Sequence, residues 1–231
     1  PRGPGVNDNL LVNGYFVGGG SQQGGGQFPI NQRGQESYLN AGKCIDRWEN
    51  SGAFYISQYW INFPANTSIT QKLEPALKSS LNGKAITLAL VFAESSQLIA
   101  GTAVYQSAPE SAITVASFSD YFTILIDTSG DIELKSTNTY ASCQAIKLEL
   151  GTEQTLAHNE GTAENPVWVL NEIPDYEQEL LKCQRYFQTF RTEATRPTYG
   201  VDCRPVMATD EPTKSTSTIG GTTYYTLESV I

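Results

Sequence analysis

The sequence predicts an all-β protein: an antiparallel two-sheet, jelly-roll-like sandwich with one C-terminal helix and a short β-rich tail. Between residues 42 and 150, roughly eight to ten short segments alternate apolar and polar side chains and are separated by turn-forming residues. Such alternation is typical of strands whose sheet packs on one face only, and we expect no helix between them. After residue 174, apolar residues recur at steps of four and three, the spacing along one face of a helix.

The size and charge of the chain restrict its partners. With 231 residues, 39% of them apolar, the chain can bury a substantial core. Its net charge of −9 opposes binding to nucleic acid, which depends on phosphate neutralisation by Lys and Arg, and opposes docking on anionic lipid. Because no run approaches the roughly 20 apolar residues that span a bilayer, we also expect no membrane insertion.

We expect three regions along the chain. Residues 1–8 lack apolar periodicity and are predicted to be a linker, and residues 9–170 are predicted to form the β-sandwich domain. Residues 171–231 are predicted to form the helix and a β-rich C-terminal extension. The extension is too small to bury its own core, so it must pack on the sandwich or on a neighbouring subunit.

The strongest strand signals lie in the middle of the chain. Residues 85–92 place apolar side chains on one face, and residues 121–127 and 131–135 form a predicted hairpin around Asp127-Thr128-Ser129-Gly130. In the segment 143–150, we expect Lys147 and Glu149 to face solvent. The other predicted strands are residues 9–16, 44–49, 53–61, 68–73, 97–105, 112–118, 165–170, 199–207 and 222–230.

The predicted helix covers residues 175–190. Its first turn follows Pro174 and is rich in acidic residues, as the helix dipole favours. We expect its apolar stripe to pack on the sandwich; alternatively, its 3.5-residue spacing would allow three copies to meet in a coiled coil. Arg185 and Tyr186 are expected to anchor the helix to the sheet. The stripe consists of Tyr176, Leu180, Cys183, Phe187 and Phe190.

Other aromatic, basic and thiol residues are assigned structural roles. We expect the Trp48 ring to lie in the core and the Arg47 guanidinium to be a buried or interface partner. The four cysteines are widely spaced and the chain has one histidine, a pattern that does not favour a zinc site. We therefore predict no metal and no cofactor. We predict buried thiols, in a protein assembled in a reducing cytoplasm, at Cys44, Cys143, Cys183 and Cys203, with disulfides as the alternative.

The chain contains, in order, the motifs NLLVNGYF (9–16), INQRG (30–34), DRW (46–48), GKAITLAL (83–90), AIKLELG (145–151) and ELLKCQRYFQ (179–188). Taken together, these motifs are similar to those of the receptor-binding modules of bacteriophage tail fibres and tail spikes. The resemblance covers roughly residues 9 to 190, and the helix motif is its most specific part. This chain departs from the pattern between residues 18 and 28, where a Gly-rich segment is inserted.

This resemblance implies a protein of a phage virion, assembled in the bacterial cytoplasm and located in the tail or its fibres. Modules of this kind are similar to carbohydrate-binding jelly rolls and usually form trimers at the distal end of a fibre. The implied partners are therefore further copies of the chain, other virion proteins and a bacterial surface polysaccharide. The resemblance supplies no fixed set of ligand-binding residues.

The residues themselves suggest where a sugar would bind. Carbohydrate sites combine an aromatic face with amide and carboxylate groups, because a sugar ring offers both C–H faces and hydroxyls. One aromatic run meets this description, with Trp168 and Tyr140 as further aromatic candidates; the alternative is that half of its rings fill the core. The candidate ligand-binding residues are Tyr55, Gln58, Tyr59, Trp60 and Asn62.

We assign no catalytic residues. Asp127, Asp131 and Glu133 are clustered, but a hairpin turn favours Asp for backbone hydrogen bonding, so a hydrolytic pair or a Ca²⁺ site is the weaker interpretation. His158 lies in a polar segment without a neighbouring nucleophile motif. The sequence thus favours a non-catalytic, trimeric, glycan-binding fibre module. Two alternatives stay open: a purely structural virion protein (head fibre, collar or capsid decoration), or a non-catalytic fragment of a polysaccharide depolymerase.

Overall fold

A computed structural model describes residues 5–18, 27–119, 121–137, 140 and 142–231, and it confirms the predicted all-β sandwich. Two six-stranded sheets pack face to face, and every strand pair within them is antiparallel. The jelly-roll connectivity stays a prediction. In chain order, the elements of the sandwich are β1 (Ser37–Tyr38), β2 (Gly42–Lys43), β3 (Glu49–Asn50), β4 (Phe54–Ile56), β5 (Ile61–Asn62), β6 (Ser68–Gln71), α1 (Pro75–Leu81), β7 (Ala85–Phe92), β8 (Gln97–Val104), β9 (Ile113–Phe118), β10 (Phe122–Ile126), β11 (Ile132–Ser136) and β12 (Cys143–Leu150).

The two sheets enclose one large core. The first has the strand order β1-β4-β5-β12-β7-β8, and the second has the order β2-β3-β6-β11-β10-β9. The predicted β10–β11 hairpin is present, with Ile124 opposite Leu134. Alternate residues of the central strands meet between the sheets, where Phe122 contacts Phe92 and Phe63 at ring-centroid distances of 5.4 and 5.8 Å.

A small hairpin and a C-terminal unit complete the fold. The remaining elements are β13 (Ala157–Asn159), β14 (Trp168–Leu170), α2 (Tyr176–Gln184), β15 (Phe187–Phe190), β16 (Thr213–Ile219) and β17 (Thr222–Glu228). Strands β15, β17 and β16 form a three-stranded antiparallel sheet in that order, while β13 pairs with β14. In the part of the chain that the structure describes, no helix is both long and apolar enough to cross a membrane.

The outer face of the first sheet is covered, and this corrects one prediction. Lys147 and Glu149 were expected to face solvent but are 4% and 0% exposed. The chain around Thr155 folds over them: Glu149 accepts hydrogen bonds from the Thr155 N–H and hydroxyl at 2.9 and 2.7 Å. Lys147 Nζ donates to the Thr155 hydroxyl at 3.0 Å. Beside them, the β13–β14 hairpin covers Ala89 and Val91, so the central strands are buried on both faces.

The segment predicted as a strand at residues 9–16 instead bends around Asn13 and makes a single bridge, from Tyr15 to Ala145. Asn13 is fully buried and left-handed (φ 57°), a conformation that Asn tolerates better than most residues. Its amide nitrogen donates to the carbonyls of Ile30 and Asp46, both at 2.9 Å, and its amide oxygen accepts from Ile30 N–H at 2.8 Å. Its backbone accepts from Trp48 Nε1 at 2.8 Å and donates to Glu179 at 2.9 Å. These five residues form what we call the Asn13 junction.

Several local predictions are wrong for identifiable reasons. Residues 44–48 form a tight turn, closed by a Cys44 N–H to Trp48 carbonyl bond, rather than a strand. The segment 53–61 is a hairpin of two strands. Helix α1 was missed because its seven residues show little periodicity, and Pro75 at its start was the available signal. The stretch 199–207, predicted as a strand, instead contains a short 3₁₀ helix, Gly200–Asp202. Strand β16 was not predicted, because its residues are largely polar.

The helix predicted over residues 175–190 ends at Gln184, so the prediction of helix for residues 185–190 is wrong. Phe187 and Phe190 lie on β15, which pairs with β17, and Phe190 packs with Cys203, Met207 and Leu227. Aromatic and β-branched residues favour strands, and pairing across the C-terminal sheet overrides the helical spacing. The remaining stripe, Tyr176, Leu180 and Cys183, packs on Phe28 and Ile30 of the same chain. The five-residue coiled-coil seam is therefore not formed.

The N-terminus of α2 is capped by a side chain, which gives a stability prediction. The Asp175 carboxylate accepts from Gln178 N–H at 2.9 Å. Replacing Asp175 with Ala is expected to lower the free energy of unfolding by about 1 kcal/mol. Because Asn also caps well, Asp175→Asn is expected to restore most of the loss. Urea denaturation of the three proteins measures both differences, and equal midpoints would show that the cap contributes nothing.

The C-terminal unit is fixed to the sandwich by cations stacked on rings and by ion pairs. The Arg47 guanidinium lies 3.8 Å from the centre of the Tyr186 ring, and its Nη2 donates to the Lys72 carbonyl at 2.6 Å. Arg33 stacks 4.2 Å from Phe187. Arg185 is half exposed and pairs with Glu74 at 2.9 Å. A further set of ion pairs joins Arg33 and Lys43 to Glu228.

The four cysteines and Trp48 lie inside the protein. Trp48 is 1% exposed and makes an edge contact with Phe16 at 6.1 Å. Burial raises the pKa of the Cys44 thiol to about 12 and also raises the pKa values of Cys143 and Cys183. The thiols are therefore protonated at neutral pH, and Cys183, on the buried face of α2, packs in the cluster with Phe28 and Ile30.

Candidate ligand-binding site beside the β4–β5 hairpin

The aromatic run predicted from the sequence forms the β4–β5 hairpin. Ser57 closes its turn: Ser57 N–H donates to the Trp60 carbonyl at 2.8 Å, and the Ser57 hydroxyl accepts from Trp60 N–H at 3.2 Å. This turn brings Tyr59 and Trp60 side by side at the tip, with ring centroids 5.9 Å apart. Tyr59 is 56% exposed, so one of these rings is largely open to solvent.

Strand alternation divides the remaining candidates. Phe54 and Ile61 point into the core, so Tyr55 and Asn62, which lie opposite each other across the hairpin, project from the outer face. The Tyr55 ring lies 6.2 Å from that of Tyr140. Desolvation raises the pKa of Tyr140, and so does its hydrogen bond with the Tyr55 hydroxyl, so this phenol is neutral at physiological pH.

The predicted residues therefore form two neighbouring groups rather than one. Tyr59 and Trp60 line a cavity at the hairpin tip, whereas Tyr55 and Asn62 lie further along the sheet with Tyr140. Gln58 is exposed in the turn, and its carbonyl accepts from Gly18 N–H at 2.8 Å. Trp168 is not part of either group, because its ring packs on the covered part of the sheet.

The cavity at the hairpin tip has a volume of about 280 Å³. Tyr59 and Trp60 form its aromatic side. The opposite side comes from the loop between β7 and β8 and from the beginning of β12, which pairs with β5 through Cys143 and Ile61. The lining residues are Val17, Tyr59, Trp60, Glu94, Ser95 and Gln144.

The β7–β8 loop next to the cavity has an unusual backbone. Ala93, Glu94 and Ser95 have φ values of 52°, 55° and 67°, three consecutive left-handed residues without a glycine. Each such residue costs about 1–2 kcal/mol relative to a right-handed conformation. Ser142 stabilises the loop, its carbonyl accepting from Ala93 N–H at 2.8 Å and its hydroxyl from Glu94 N–H at 3.2 Å. Backbone strain that the surroundings maintain is concentrated at functional sites in proteins, which favours a functional role for this loop.

Gln144 is a largely buried amide in the wall of the cavity. Its side chain is 5% exposed, and its amide oxygen accepts from Ser95 N–H at 3.3 Å, which fixes the direction of the amide. The amide nitrogen is buried and, among the described residues, has no hydrogen-bond partner. A buried donor without an acceptor costs about 1–3 kcal/mol, and this nitrogen has almost no accessible surface through which a ligand could bond it. In the described ranges, three further buried side-chain atoms have no partner: Arg47 Nε, Asn50 Oδ1 and Asn62 Oδ1.

Another cavity, of about 130 Å³, lies between the N-terminal segment and α2. Its walls include Lys147 and Glu179, but both side chains are already engaged within the protein, Lys147 with Thr155 and Glu179 with Lys182 at 2.7 Å. The hairpin-tip cavity combines exposed aromatic surface with the exposed Glu94 carboxylate, so it is the stronger candidate.

Asp127 and Asp131, two of the three clustered carboxylates in the β10–β11 hairpin, have structural roles. Asp127 caps the β10–β11 turn by accepting from Ser129 and Asp131 N–H groups, both at 2.9 Å. Asp131 accepts from Leu73 N–H at 3.0 Å and pairs with Lys78 at 2.8 Å. These contacts explain their clustering through turn and helix geometry.

Sequence reasoning missed Gln144, Glu94, Ser95 and Val17 as parts of the site. Gln144 and Glu94 lie about 50 residues apart in the sequence and meet only through the pairing of β12 with β5 and β7. The loop contains no glycine at its left-handed positions, so its sequence does not indicate this backbone conformation. No family model, no curated protein and no solved structure matches this chain.

Proposed function

We propose that this protein is a non-catalytic, glycan-binding module of a bacteriophage virion, of the tail-fibre type, and that it binds host-surface polysaccharide at the hairpin-tip cavity. The observation that carries the proposal is the pairing of Tyr59 and Trp60 with the exposed Glu94 carboxylate in one cavity. The order of the fibre-like motifs along the sequence supports the virion assignment.

The chemistry of the cavity suits a sugar. Aromatic rings pack against the C–H faces of a pyranose, while hydroxyls require fixed donors and acceptors. Trp60 and Tyr59 supply the faces, and the exposed carboxylate of Glu94 supplies an acceptor. Hydrolysis by the usual mechanism needs two carboxyl groups about 5–9 Å apart, and Glu94 is the one carboxylate among the described lining residues. This composition supports binding rather than cleavage.

Several copies on one virion would compensate for a weak single site, because a second contact becomes intramolecular once the first is made. The trimer is part of the proposal. Strand β16 supports it, since it lies at the edge of the C-terminal sheet with most of its residues exposed. Edge strands offer backbone donors and acceptors to a neighbouring chain.

Replacing Trp60 with Ala is expected to weaken glycan binding about tenfold or more, because burying an aromatic face contributes about 2 kcal/mol. Glycan-array screening of the wild type identifies a ligand, and calorimetric titration then compares the variants. Tyr199→Ala is the matched control, since Tyr199 is a half-exposed tyrosine on the C-terminal unit, away from the cavity. Unchanged affinity in a folded Trp60→Ala protein would remove this cavity from the proposal.

The assembly alternative, a purely structural virion protein, is favoured by the same exposed edge of β16. Light scattering combined with the array separates the two functions: a trimer without any glycan signal supports assembly alone. Thr216→Lys places a charge on this edge and is expected to weaken the trimer if β16 forms the contact. Loss of viscosity when the protein is mixed with capsular polysaccharide would instead indicate a depolymerase.

A further inference from the structure

We infer that the hairpin-tip cavity binds a glycan unit with a positively charged amino group, a hexosamine that carries no N-acetyl group, and that Glu94 and the Trp60 ring recognise the ammonium. The inference rests on the proposed glycan-binding function and names the class of sugar. Three accessible features of the cavity lead to it: its charge, the unpaired carboxylate of Glu94 and the aromatic surface beside that carboxylate.

The charge of the cavity favours a cation. Glu94 is the one charged side chain among the described lining residues, and none of them is Lys or Arg. The internal residues outside the described ranges, at positions 19–26, 120, 138–139 and 141, include no Lys or Arg either. A uronate, a sialic acid or a phosphate would therefore meet a like charge without a compensating cation. An ammonium would be attracted, and the net charge of −9 on the chain acts in the same direction.

The Glu94 carboxylate is exposed and available to a ligand. The Glu94 backbone N–H donates to the Ser142 hydroxyl at 3.2 Å, whereas its carboxylate makes no hydrogen bond or ion pair with another described residue. The left-handed conformation of Glu94 (φ 55°), in a loop bonded to Ser142, sets the position from which the side chain lines the cavity. A carboxylate accepts a charge-assisted hydrogen bond from an ammonium, which is stronger than a bond between neutral groups.

The aromatic side of the cavity adds a second attraction for a cation. The face of an aromatic ring is electronegative, so a cation within about 6 Å of the ring centre is attracted, most strongly by tryptophan. Trp60 and Tyr59 lie with their ring centroids 5.9 Å apart and line the same cavity as Glu94. The rings can also pack on the C–H face of the sugar. A volume of about 280 Å³ lies at the small end of ligand pockets, which suits one monosaccharide unit.

The test compares methyl glucoside with three methyl glycosides that each differ from it at one group: the glucosaminide, the N-acetylglucosaminide and the glucuronide. At about pH 6 and low salt, where the amine is protonated, calorimetry and ligand-observed NMR are expected to show that the wild type binds the glucosaminide about fivefold more tightly than the glucoside or the N-acetylated sugar, and the glucuronide weakest. This advantage of the glucosaminide is expected to shrink as salt is added. Glu94→Gln keeps the shape of the side chain, removes its charge and is expected to remove most of the advantage.

Glu211→Gln is the matched control, because Glu211 is an exposed glutamate of the C-terminal unit that does not line the cavity, and it is expected to keep the advantage. If binding depends on Trp60 but the glucosaminide and the glucoside bind equally, or the glucuronide binds best, the inference is overturned and the proposed function stands. Full retention of the advantage in Glu94→Gln would also overturn the inference, since the ammonium would then be recognised elsewhere. If no glycoside binds and the glycan array is also blank, the proposed function fails and the inference fails with it.

Discussion

Replacing Asn13 with Ala is expected to lower the free energy of unfolding by about 4 kcal/mol or more, the largest effect that we predict for a single side chain. The substitution removes two donated hydrogen bonds and one accepted bond. It leaves Ile30 N–H and the Asp46 carbonyl without these partners in a region shielded from water, where each unpaired polar group costs about 1–3 kcal/mol, while the Ile30 carbonyl keeps its bond from Asp46 N–H at 3.1 Å. It also forces Ala into a left-handed conformation.

Guanidinium denaturation followed by circular dichroism measures the loss. Asn66→Ala is the matched control, because Asn66 is also left-handed (φ 61°) but its side chain is exposed. The control is expected to lose about 1 kcal/mol, the cost of the backbone conformation alone. If the two variants are equally stable, the hydrogen bonds of the Asn13 junction do not stabilise the fold.

The Asn13 junction also clarifies what the sequence resemblance can support. Asn13, Ile30, Asp46 with Trp48, and Glu179 belong to four of the fibre-like motifs, and they meet at this one buried point. None of these residues lines the hairpin-tip cavity. The motifs therefore bear on how the chain folds more directly than on which ligand it binds, which is why the function rests on the cavity.

The sandwich was predictable because its central strands follow simple alternation. In β10 and β11, every second residue is buried and all of these except Ser136 are apolar, so both the strands and their pairing, such as Ile124 opposite Leu134, follow from the sequence. A hairpin brings together residues that are close in the sequence, and its turn fixes the register. Local patterns were sufficient here.

Predictions failed where distant segments determine the outcome. The helical spacing of α2 continues to Phe190, but pairing of β15 with β17, about 40 residues later, converts Phe187 and Phe190 to strand. Lys147 and Glu149 alternate as exposed residues do, yet the chain at Thr155 covers and bonds them. Sequence periodicity does not report contacts of this kind.

In the candidate site, too, local sequence patterns predicted some residues, while those brought in by distant contacts were not predicted. Trp60 and Tyr59 were found because an aromatic run with interleaved amides is visible in the sequence. Gln144 and Glu94 were not found from the sequence. Gln144 lies within a regular strand, and Glu94 lies in a loop of ordinary composition. What makes Gln144 notable is an unpaired nitrogen, and that property exists only in the folded protein.

Replacing Gly101 with Ala is expected to lower the free energy of unfolding by about 3 kcal/mol. Gly101 lies on β8, the edge strand of the first sheet, where it meets β9, the edge strand of the second. A Cβ at Gly101 would overlap the Val115 carbonyl and would lie 3.2 Å from the Ala116 Cβ. The glycine thus permits the two sheets to approach closely along this side of the sandwich, and the sequence pattern of β8 alone gave no sign of the contact.

Because the main obstacle to a side chain at Gly101 is a backbone carbonyl, trimming a neighbouring side chain cannot relieve it. The double variant Gly101→Ala with Ala116→Gly is therefore expected to be no more stable than Gly101→Ala. Thr102→Ala, on the exposed face of the same strand, is the control and is expected to change stability by less than about 0.5 kcal/mol. Thermal and denaturant unfolding of the four proteins tests this. Rescue by Ala116→Gly would contradict this argument. It would show that contact with the Ala116 side chain, and not the close approach of the Val115 carbonyl on β9, makes a side chain at Gly101 unfavourable.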